Sequence, residues 1–219
     1  MTNSLYNQFK KGSFLTNKMK QPIFIFLLIL PALIKSQSSS GISYQEGLDN
    51  CQKIVDENQK LYPDKLIYTG PDCLLGASVP EFSALLMDGK KISIDYFKGK
   101  ITVLNFWMIS CPPCIAEIPG FNNVVNKFGH DKLNYLAIGP DDEKDIISFL
   151  KNHPWEFSQL STGKEIIYDV FKKNWGYPTT YVINEDGVIV AAFSGGKTDE
   201  RAVKEIEDKL TKIITEELK

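Results

Sequence analysis

The segment FWMISCPPC, residues 106–114, contains two cysteines separated by two prolines. Cys111 and Cys114 could form a redox couple, half of a zinc site or an inert structural cross-link. At the start of a helix, the helix dipole and the free backbone amides lower the pKa of a thiol and make it a nucleophile. A second thiol one turn further on can then resolve a mixed disulfide formed by the first. The spacing therefore predicts thiol–disulfide chemistry, provided that a helix starts here.

A zinc site would need more ligands than this pair supplies. Cys51 and Cys73 do not form a second C-x-x-C pair, no H-x-x-x-H motif occurs, and both histidines are isolated. We therefore favour redox chemistry over a metal site or an inert cross-link. We expect no metal and no cofactor other than a redox-active Cys111–Cys114 disulfide.

The residues around the pair predict the elements that position it. Residues 100–107 are almost all apolar or β-favouring, as in a central strand covered on both faces. Residues 111–128 read as a helix with Pro119 inside it. Along the chain the elements follow the order strand, helix, strand, two helices, hairpin, helix, which predicts an α/β fold with a central mixed sheet and helices on both faces. The cysteine pair would lie at the carboxyl end of a central strand, where open α/β sheets place their chemistry.

The remaining segments have weaker signals. A hairpin is expected around Asp88–Gly89 and another around Asp186–Gly187, because both dipeptides favour tight turns. Thr198 is the expected N-cap of a closing amphipathic helix over 198–219. Further predicted elements are helices over 43–62, 141–153 and 164–171 and a strand over 133–139.

Composition and charge exclude several function classes. The chain has 219 residues, of which 43% are hydrophobic and 24% charged, values typical of a globular protein. Residues 1–36 contain five lysines and no acid, so the rest of the chain carries 20 basic and 27 acidic residues, a net charge of −7. Such an acidic surface offers no general electrostatic footprint for nucleic acid, and we expect no nucleic-acid partner.

The lysine-rich start is followed by a short apolar run, PIFIFLLILPALI at 22–34, and then by KSQSSSG. This order predicts a secretory signal peptide over 1–36, with Met19 as an alternative start. An uncleaved inner-membrane anchor is the other interpretation, although the run is shorter than the ~20 apolar residues that span a bilayer. We expect export to the periplasm, an oxidising compartment in which disulfides persist.

From Val79 to the C-terminus the chain resembles the TlpA/ResA/CcmG type of thiol–disulfide oxidoreductases, within the AhpC/TSA-Redoxin group of the thioredoxin superfamily. The matching stretches are VPEFSALLMDGKKISIDYFKGK, VLNFWMISCPPCIAEIP and WGYPTTYVINEDGVIV. The resemblance implies a thioredoxin-like domain over 79–219, with a helical insertion at 141–172. Residues 37–78 would then be an N-terminal extension.

The resemblance also implies roles for individual residues. Cys111 would be the attacking thiolate and Cys114 the buried resolving cysteine, with Pro178 as a cis-proline facing them. The backbone of Tyr177 would pair with an incoming peptide as a short added strand. Supporting residues at the site would be Trp107, Pro112, Pro113 and Glu117. The implied partners are disulfide-bearing envelope proteins, often apocytochrome c during cytochrome c maturation, and a membrane electron donor of the DsbD/CcdA type.

Three positions depart from the family pattern. Ser110 stands where the family usually has tryptophan, so an aromatic lid is missing. Asn105 and Leu85 occupy positions where relatives bury a carboxylate that would serve as general base for the resolving cysteine. Glu117 is the nearest acid in sequence, and its position favours a solvated or salt-bridged helix residue. We therefore predict slow or water-assisted deprotonation of Cys114.

Cys51 and Cys73 are interpreted as a structural disulfide that fastens the extension to the domain. In the chain-entropy model a loop of this length contributes roughly 3 kcal/mol. The alternative is a second redox pair that relays electrons. Nothing at this spacing lowers a thiol pKa, which favours the structural role.

The two prolines bear on the direction of electron flow. Proline has no N–H, so two amides that could stabilise the Cys111 thiolate are missing. When the thiolate is less stabilised, the Cys111–Cys114 disulfide is a weaker oxidant and the reduced pair is a stronger reductant. This favours reduction of substrate disulfides. Two other functions stay open: a thiol peroxidase of the AhpC/TSA type, in which Met108 would replace the usual threonine, and a non-catalytic binding module.

Overall fold

The computed structural model describes residues 41–160 and 163–219, so the predicted signal peptide lies outside the described residues. The strands are Ala84–Leu85 (β1), Lys91–Ile92 (β2), Ile101–Phe106 (β3), Leu133–Ile138 (β4), Ser158–Gln159 (β5), Thr179–Ile183 (β6) and Ile189–Ser194 (β7). The helices are Tyr44–Leu61 (α1), Pro112–Phe128 (α2), Glu143–Leu150 (α3), Gly163–Glu165 (α4) and Arg201–Glu217 (α5). A π-helical segment, Ile166–Val170, continues α4, and short 3₁₀ turns cover Pro71–Leu74 and Ile94–Phe97.

The main sheet has five strands in the order β5-β4-β3-β6-β7. β3 is central: it runs parallel to β4, from Ile101 opposite Leu133 to Phe106 opposite Ile138, and antiparallel to β6. All six residues of β3 are buried, because both faces of the sheet are covered. The expected mixed sheet, with a buried strand leading to the cysteine pair, is therefore confirmed.

Side chains alternate along β3 between two hydrophobic cores. Leu104 and Phe106 face a core that includes α1, the β1–β2 hairpin and the π-helical segment. Val103 and Trp107 face the second core, formed with α2, α3 and α5. Helices thus cover both faces of the sheet, as predicted, and the Cys111–Cys114 pair belongs to the second core.

Helices α2 and α5 pack closely because Gly120 has no side chain at their contact. A Cβ atom added to Gly120 would lie 2.4 Å from Ile206 Cγ2 and 2.5 Å from the carbonyl oxygen of Val203. Pro119, just before this glycine, lies inside α2 on its exposed side. The contact holds the N-terminal half of α2, which carries the cysteine pair, against the C-terminal helix.

Some element boundaries differ from those predicted. Helix α5 begins at Arg201 and not after Thr198, so the predicted N-cap is wrong. The Arg201 amide donates instead to Asp199 Oδ1 at 3.0 Å, and the Arg201 guanidinium also binds that carboxylate. The first residues that the apolar pattern assigned to the helix therefore lie in the Asp199–Arg201 turn.

The β1–β2 hairpin contains the predicted Asp88–Gly89 turn, and Gly89 has a φ of 85° that glycine adopts without steric cost. Residues 76–79 add to the outer edge of β7 through backbone bonds such as Gly76 N–H to the Ile189 carbonyl at 2.9 Å. Within residues 41–160 and 163–219, no helix is both long and apolar enough to cross a membrane.

Candidate active site

Cys111 and Cys114 lie where β3 gives way to α2. Cys111 is the N-cap residue of α2, with Pro112 and Pro113 as its first two helical residues. Proline suits the first turn of a helix, because the amides there have no partner within the helix. The two sulfurs are joined in a disulfide, and Cys111 is 6% exposed against 1% for Cys114. Cys111 is therefore the more accessible residue of the pair, as the attacking position requires.

The Cys111 sulfur accepts a hydrogen bond from the amide of Cys114, at 3.3 Å. An N-cap side chain accepts from the second or third residue of the helix, and here the second is Pro113, which has no N–H. Among the described residues, Cys114 thus supplies the one backbone hydrogen bond to this sulfur. The donor count on which the predicted reducing bias rests agrees with this geometry.

The loop before β6 carries Tyr177 and Pro178, the residues that the family resemblance places opposite the cysteine pair. The Tyr177–Pro178 peptide bond is cis, and the Pro178 carbonyl accepts the Gly195 amide at 2.9 Å. Tyr177 packs against both cores, including the one that contains the cysteine pair. In the described part of the chain, neither the N–H nor the carbonyl of Tyr177 has a hydrogen-bond partner. This backbone is therefore able to pair with another strand.

The residues just before the cysteines are fixed by side chains from the insertion between β4 and β6. The Ile109 amide donates to Asp141 Oδ2 at 2.9 Å. Trp107 is fully buried, and its indole N–H donates to Gln159 Oε1 at 3.1 Å. Ser110 is exposed. Trp107 thus anchors the strand end beneath the site, and the insertion orders the approach to Cys111.

Asn105 and Leu85 lie in different surroundings. Asn105 is 1% exposed and lies on the same face of β3 as Val103 and Trp107, the face that carries the cysteine pair. Its Nδ2 donates to Thr180 Oγ1 at 2.9 Å. Leu85 is 50% exposed on β1. Neither position supplies a carboxylate, in agreement with the sequence.

Glu117 is the main correction to the sequence interpretation of the site. It is 5% exposed and forms none of the ion pairs found among the described residues, so a solvated or salt-bridged residue is wrong. Burial raises its pKa from 4.5 to about 8; the positive charge of Lys209 opposes this shift, and the negative charge of Glu205 adds to it. The site therefore contains a buried acid after all, one helical turn after Cys114.

The close approach of the β7–α5 loop explains how Glu117 is buried. A Cβ atom on Gly196 would lie 2.4 Å from Glu117 Oε1 and 3.4 Å from Pro113 Cβ. A cavity of about 290 Å³ adjoins the carboxyl group, lined also by Phe193, Glu205, Ile206 and Lys209. Oε2 has no hydrogen-bond partner within the described residues. Sequence alone could not reveal this, because the covering residues lie about 80 positions further along the chain.

Cys51 and Cys73 form a second disulfide, between α1 and the 3₁₀ turn at Pro71–Leu74. Both pack with the core on the face of the sheet opposite the Cys111–Cys114 pair. The segment that precedes Cys73 contacts the cis-proline loop, because the Trp175 indole N–H donates to the Thr69 carbonyl at 3.0 Å. Both cysteines lie within the extension, so the disulfide joins two segments of the extension and, contrary to the prediction from sequence, does not itself fasten it to the domain.

Lys173 is a residue that the sequence interpretation missed. It is 7% exposed, and its ammonium group lies 3.7 Å from the centre of the Tyr177 ring. A lysine in a polar stretch gives no sign of burial in the sequence. As for metal sites, the described residues contain no group of three or more His, Cys, Asp or Glu side chains that could hold an ion.

Residues 75–192 match the sequence model of the AhpC/TSA family. The chain is 33% identical to the thiol-disulfide oxidoreductase ResA of Bacillus thuringiensis over 145 residues, covering 64% of this chain and 78% of the relative. It is 34% identical to the thioredoxin-like protein YneN of Bacillus subtilis over 139 residues, covering 62% and 78%.

Solved structures show the same fold. The thioredoxin domain of a thiol-disulfide oxidoreductase from Bacteroides vulgatus superposes with a TM-score of 0.53 at 22% identity, over 64% of this chain and 96% of that one. A thiol:disulfide interchange protein from a Bacteroides species gives a TM-score of 0.53 at 22% identity, over 64% and 90%. The expected thioredoxin-like fold is thereby confirmed.

Proposed function

The chain belongs to the AhpC/TSA family and is a thiol–disulfide oxidoreductase of the ResA type, and on this premise we propose that it reduces disulfides of proteins outside the cytoplasm. The observation that carries this proposal is the cysteine pair at the N-terminus of α2, in the core against which Tyr177 packs with its backbone unpaired among the described residues. A redox couple and a free backbone segment on one core suit a disulfide held in an extended peptide.

The reaction begins with both cysteines reduced. The Cys111 thiolate attacks one sulfur of the substrate disulfide, forming a mixed disulfide and releasing the other substrate sulfur as a thiolate. Cys114 then loses its proton and attacks the Cys111 sulfur. This forms the Cys111–Cys114 disulfide and releases the second substrate thiolate. Two electrons pass to the substrate, and an external dithiol donor must return them to the enzyme.

Glu117 is the group best placed to take the proton from Cys114. The two residues are one turn apart on the buried side of α2. A general base works best when its pKa lies near the operating pH. Burial raises the pKa of Glu117 to about 8, which makes its carboxylate a stronger base than that of an exposed glutamate. Glu117 therefore replaces the carboxylates that are absent at Asn105 and Leu85.

The direction of reaction follows from hydrogen bonding to Cys111. With one amide donor on its sulfur, the thiolate is weakly stabilised, so the reduced form gives up its electrons readily. Export is supported by the lysines and the apolar run at 22–34, which together resemble a signal peptide. From the family resemblance we further propose a membrane dithiol donor of the DsbD/CcdA type and apocytochrome c as a substrate.

Reduction of insulin tests the activity. Protein reduced with dithiothreitol should precipitate insulin faster than dithiothreitol alone, and the Cys111→Ser variant should lose this acceleration. Equal rates for the two proteins would favour a binding module without catalysis. Hydrogen peroxide offered as the oxidant provides a second comparison. Faster turnover with peroxide than with insulin would favour the thiol peroxidase.

Trapping identifies the substrate. A Cys114→Ser variant cannot resolve the mixed disulfide, so its client should stay attached to Cys111 and be identifiable by mass spectrometry. Captured proteins with haem-binding C-x-x-C-H motifs would support cytochrome c maturation. Capture of unrelated envelope proteins would instead indicate a general reductase.

A further inference from the structure

The ammonium group of Lys173 contacts three successive residues immediately before Pro178. Its Nζ donates to the carbonyl oxygens of Trp175 and Gly176, the latter at 2.9 Å. The same atom lies over the aromatic face of Tyr177, 3.7 Å from the ring centre. An ammonium has three N–H donors, so two carbonyls and one ring face account for all of them.

The placement of this charge is unusual. Lysine is rarely buried unless it is paired, yet Lys173 is 7% exposed and takes part in no ion pair among the described residues. Burial lowers its pKa to about 8. A buried cation without a carboxylate destabilises the fold, so the carbonyl bonds and the ring contact must offset that penalty. A charged side chain at this position can therefore bind the loop carbonyls, which an apolar side chain of similar length could not do.

Lys173 acts on the segment that carries Tyr177. Tyr177 packs against the core that contains Cys111 and Cys114, and its backbone has no partner among the described residues. Gly176 is bound twice, because its carbonyl also accepts from Thr179 Oγ1 at 2.7 Å. The Trp175 carbonyl depends on Lys173 for its bond within the described residues. Without the ammonium group, the Trp175 carbonyl would lose its hydrogen-bond partner and the residues before Tyr177 would be held by fewer contacts.

We propose that Lys173 is a positioning residue that holds the Trp175–Tyr177 backbone in the conformation that receives a peptide strand from the substrate. This inference rests on the proposed reduction of peptide disulfides. It predicts that Lys173 matters for substrates that pair with the loop and not for small disulfides that reach Cys111 alone. Its role is thus separable from the chemistry of the cysteine pair.

The test compares two substrates: a disulfide-bonded peptide and 2-hydroxyethyl disulfide. In Lys173→Met, kcat/KM for the peptide should fall about tenfold, since a small misplacement of a docking group costs this much or more. The rate with 2-hydroxyethyl disulfide should stay within about twofold of the wild type, because that substrate has no backbone to pair. Lys173→Gln retains a donor for one carbonyl, so its kcat/KM for the peptide should lie between those of the wild type and Lys173→Met. If the Met variant does not fold, Lys173→Gln is compared with the wild type instead.

Lys172→Met is the matched control. Lys172 is the exposed neighbour, and its Nζ binds Gln45 Oε1 at 2.8 Å and not a carbonyl of the Trp175–Tyr177 segment. Both substrates should react with this variant as with the wild type. An equal loss with both substrates in the Lys173 variants, or no loss with either, would overturn the positioning role and leave the reductase intact. A wild-type protein that reduces neither substrate would instead refute the proposed function.

Discussion

Glu117 lies one helical turn beyond Cys114 on the buried side of α2, and one of its carboxyl oxygens has no hydrogen-bond partner among the described residues. This arrangement puts an acid of raised pKa one helical turn from the residue that we propose it deprotonates. It also makes the stability of the protein depend on pH. Both consequences can be measured.

The first prediction concerns the rate at which Cys114 resolves a mixed disulfide on Cys111. In the wild type this rate should rise through about pH 8, as Glu117 loses its proton and becomes a base. Glu117→Ala should be slower by roughly 100-fold at pH 8, the usual range for loss of a general base. Single-turnover kinetics from a preformed mixed disulfide measure the step. A pH profile unchanged by the substitution would remove Glu117 from the mechanism.

The second prediction concerns stability. The pKa of Glu117 is higher in the folded state than its ordinary 4.5, so between pH 4.5 and about 8 the folded protein binds more protons than the unfolded chain. The stability contributed by this group is complete below pH 4.5 and is lost as the pH rises towards 8. Between these pH values the free energy of unfolding should fall by up to about 1.4 kcal/mol per pH unit. In Glu117→Gln this contribution to the fall should be absent.

Urea unfolding at several pH values measures this effect. Glu216→Gln is a suitable control, because Glu216 is exposed near the end of α5. The control should keep the wild-type slope. A Glu117→Gln variant with the same slope as the wild type would show that the carboxyl group is not desolvated as described.

The third prediction concerns the prolines between the cysteines. Pro113→Ala restores an amide at the second helical position, which an N-cap side chain can accept. The added bond should lower the pKa of Cys111 and raise the reduction potential by on the order of 30 mV. Thiolate absorbance and equilibration with glutathione report the two quantities. Pro112→Ala should have the smaller effect, and the reverse order would contradict the donor count.

The fourth prediction concerns the contact between α2 and α5. Gly120→Ala should destabilise the protein by about 1–3 kcal/mol, because the new methyl group meets the Val203 carbonyl oxygen at 2.5 Å and backbone yields little. Gly176→Ala is the matched control, since nothing lies within 4 Å of a Cβ atom there. Chemical denaturation compares the two. Equal stability of both variants would mean that the helices can separate without cost.

The fifth prediction separates the two roles considered for Cys51 and Cys73. Replacing both by alanine should lower the free energy of unfolding by roughly 3 kcal/mol, since the bond closes a loop between residues 22 positions apart. Insulin reduction at a temperature where the variant is folded should be retained. Loss of that activity in a folded variant would favour an electron relay over a structural bond.

Much of the fold could be predicted from local patterns. The buried strand before Cys111, the helix after it and the two hairpin turns depend on residues adjacent in sequence, whose periodicity and turn chemistry are visible directly. The start of α5 was less predictable. There the Asp199–Arg201 interaction competes with helix formation. The spacing of apolar residues, from which the helix was predicted, contains no information about this turn.

The sequence by itself predicted the redox chemistry proposed for Cys111 and Cys114, because that prediction follows from their spacing and from the helix that starts between them. The tertiary structure decided what surrounds that pair. Glu117 is buried by Gly196 and α5, and Lys173 is enclosed by the ring of Tyr177 and by carbonyls of the loop before Pro178. Burial of a charged side chain depends on which distant segments cover it, and desolvation by those segments sets its pKa. Glu117 and Lys173 therefore acquire their roles only in the folded chain.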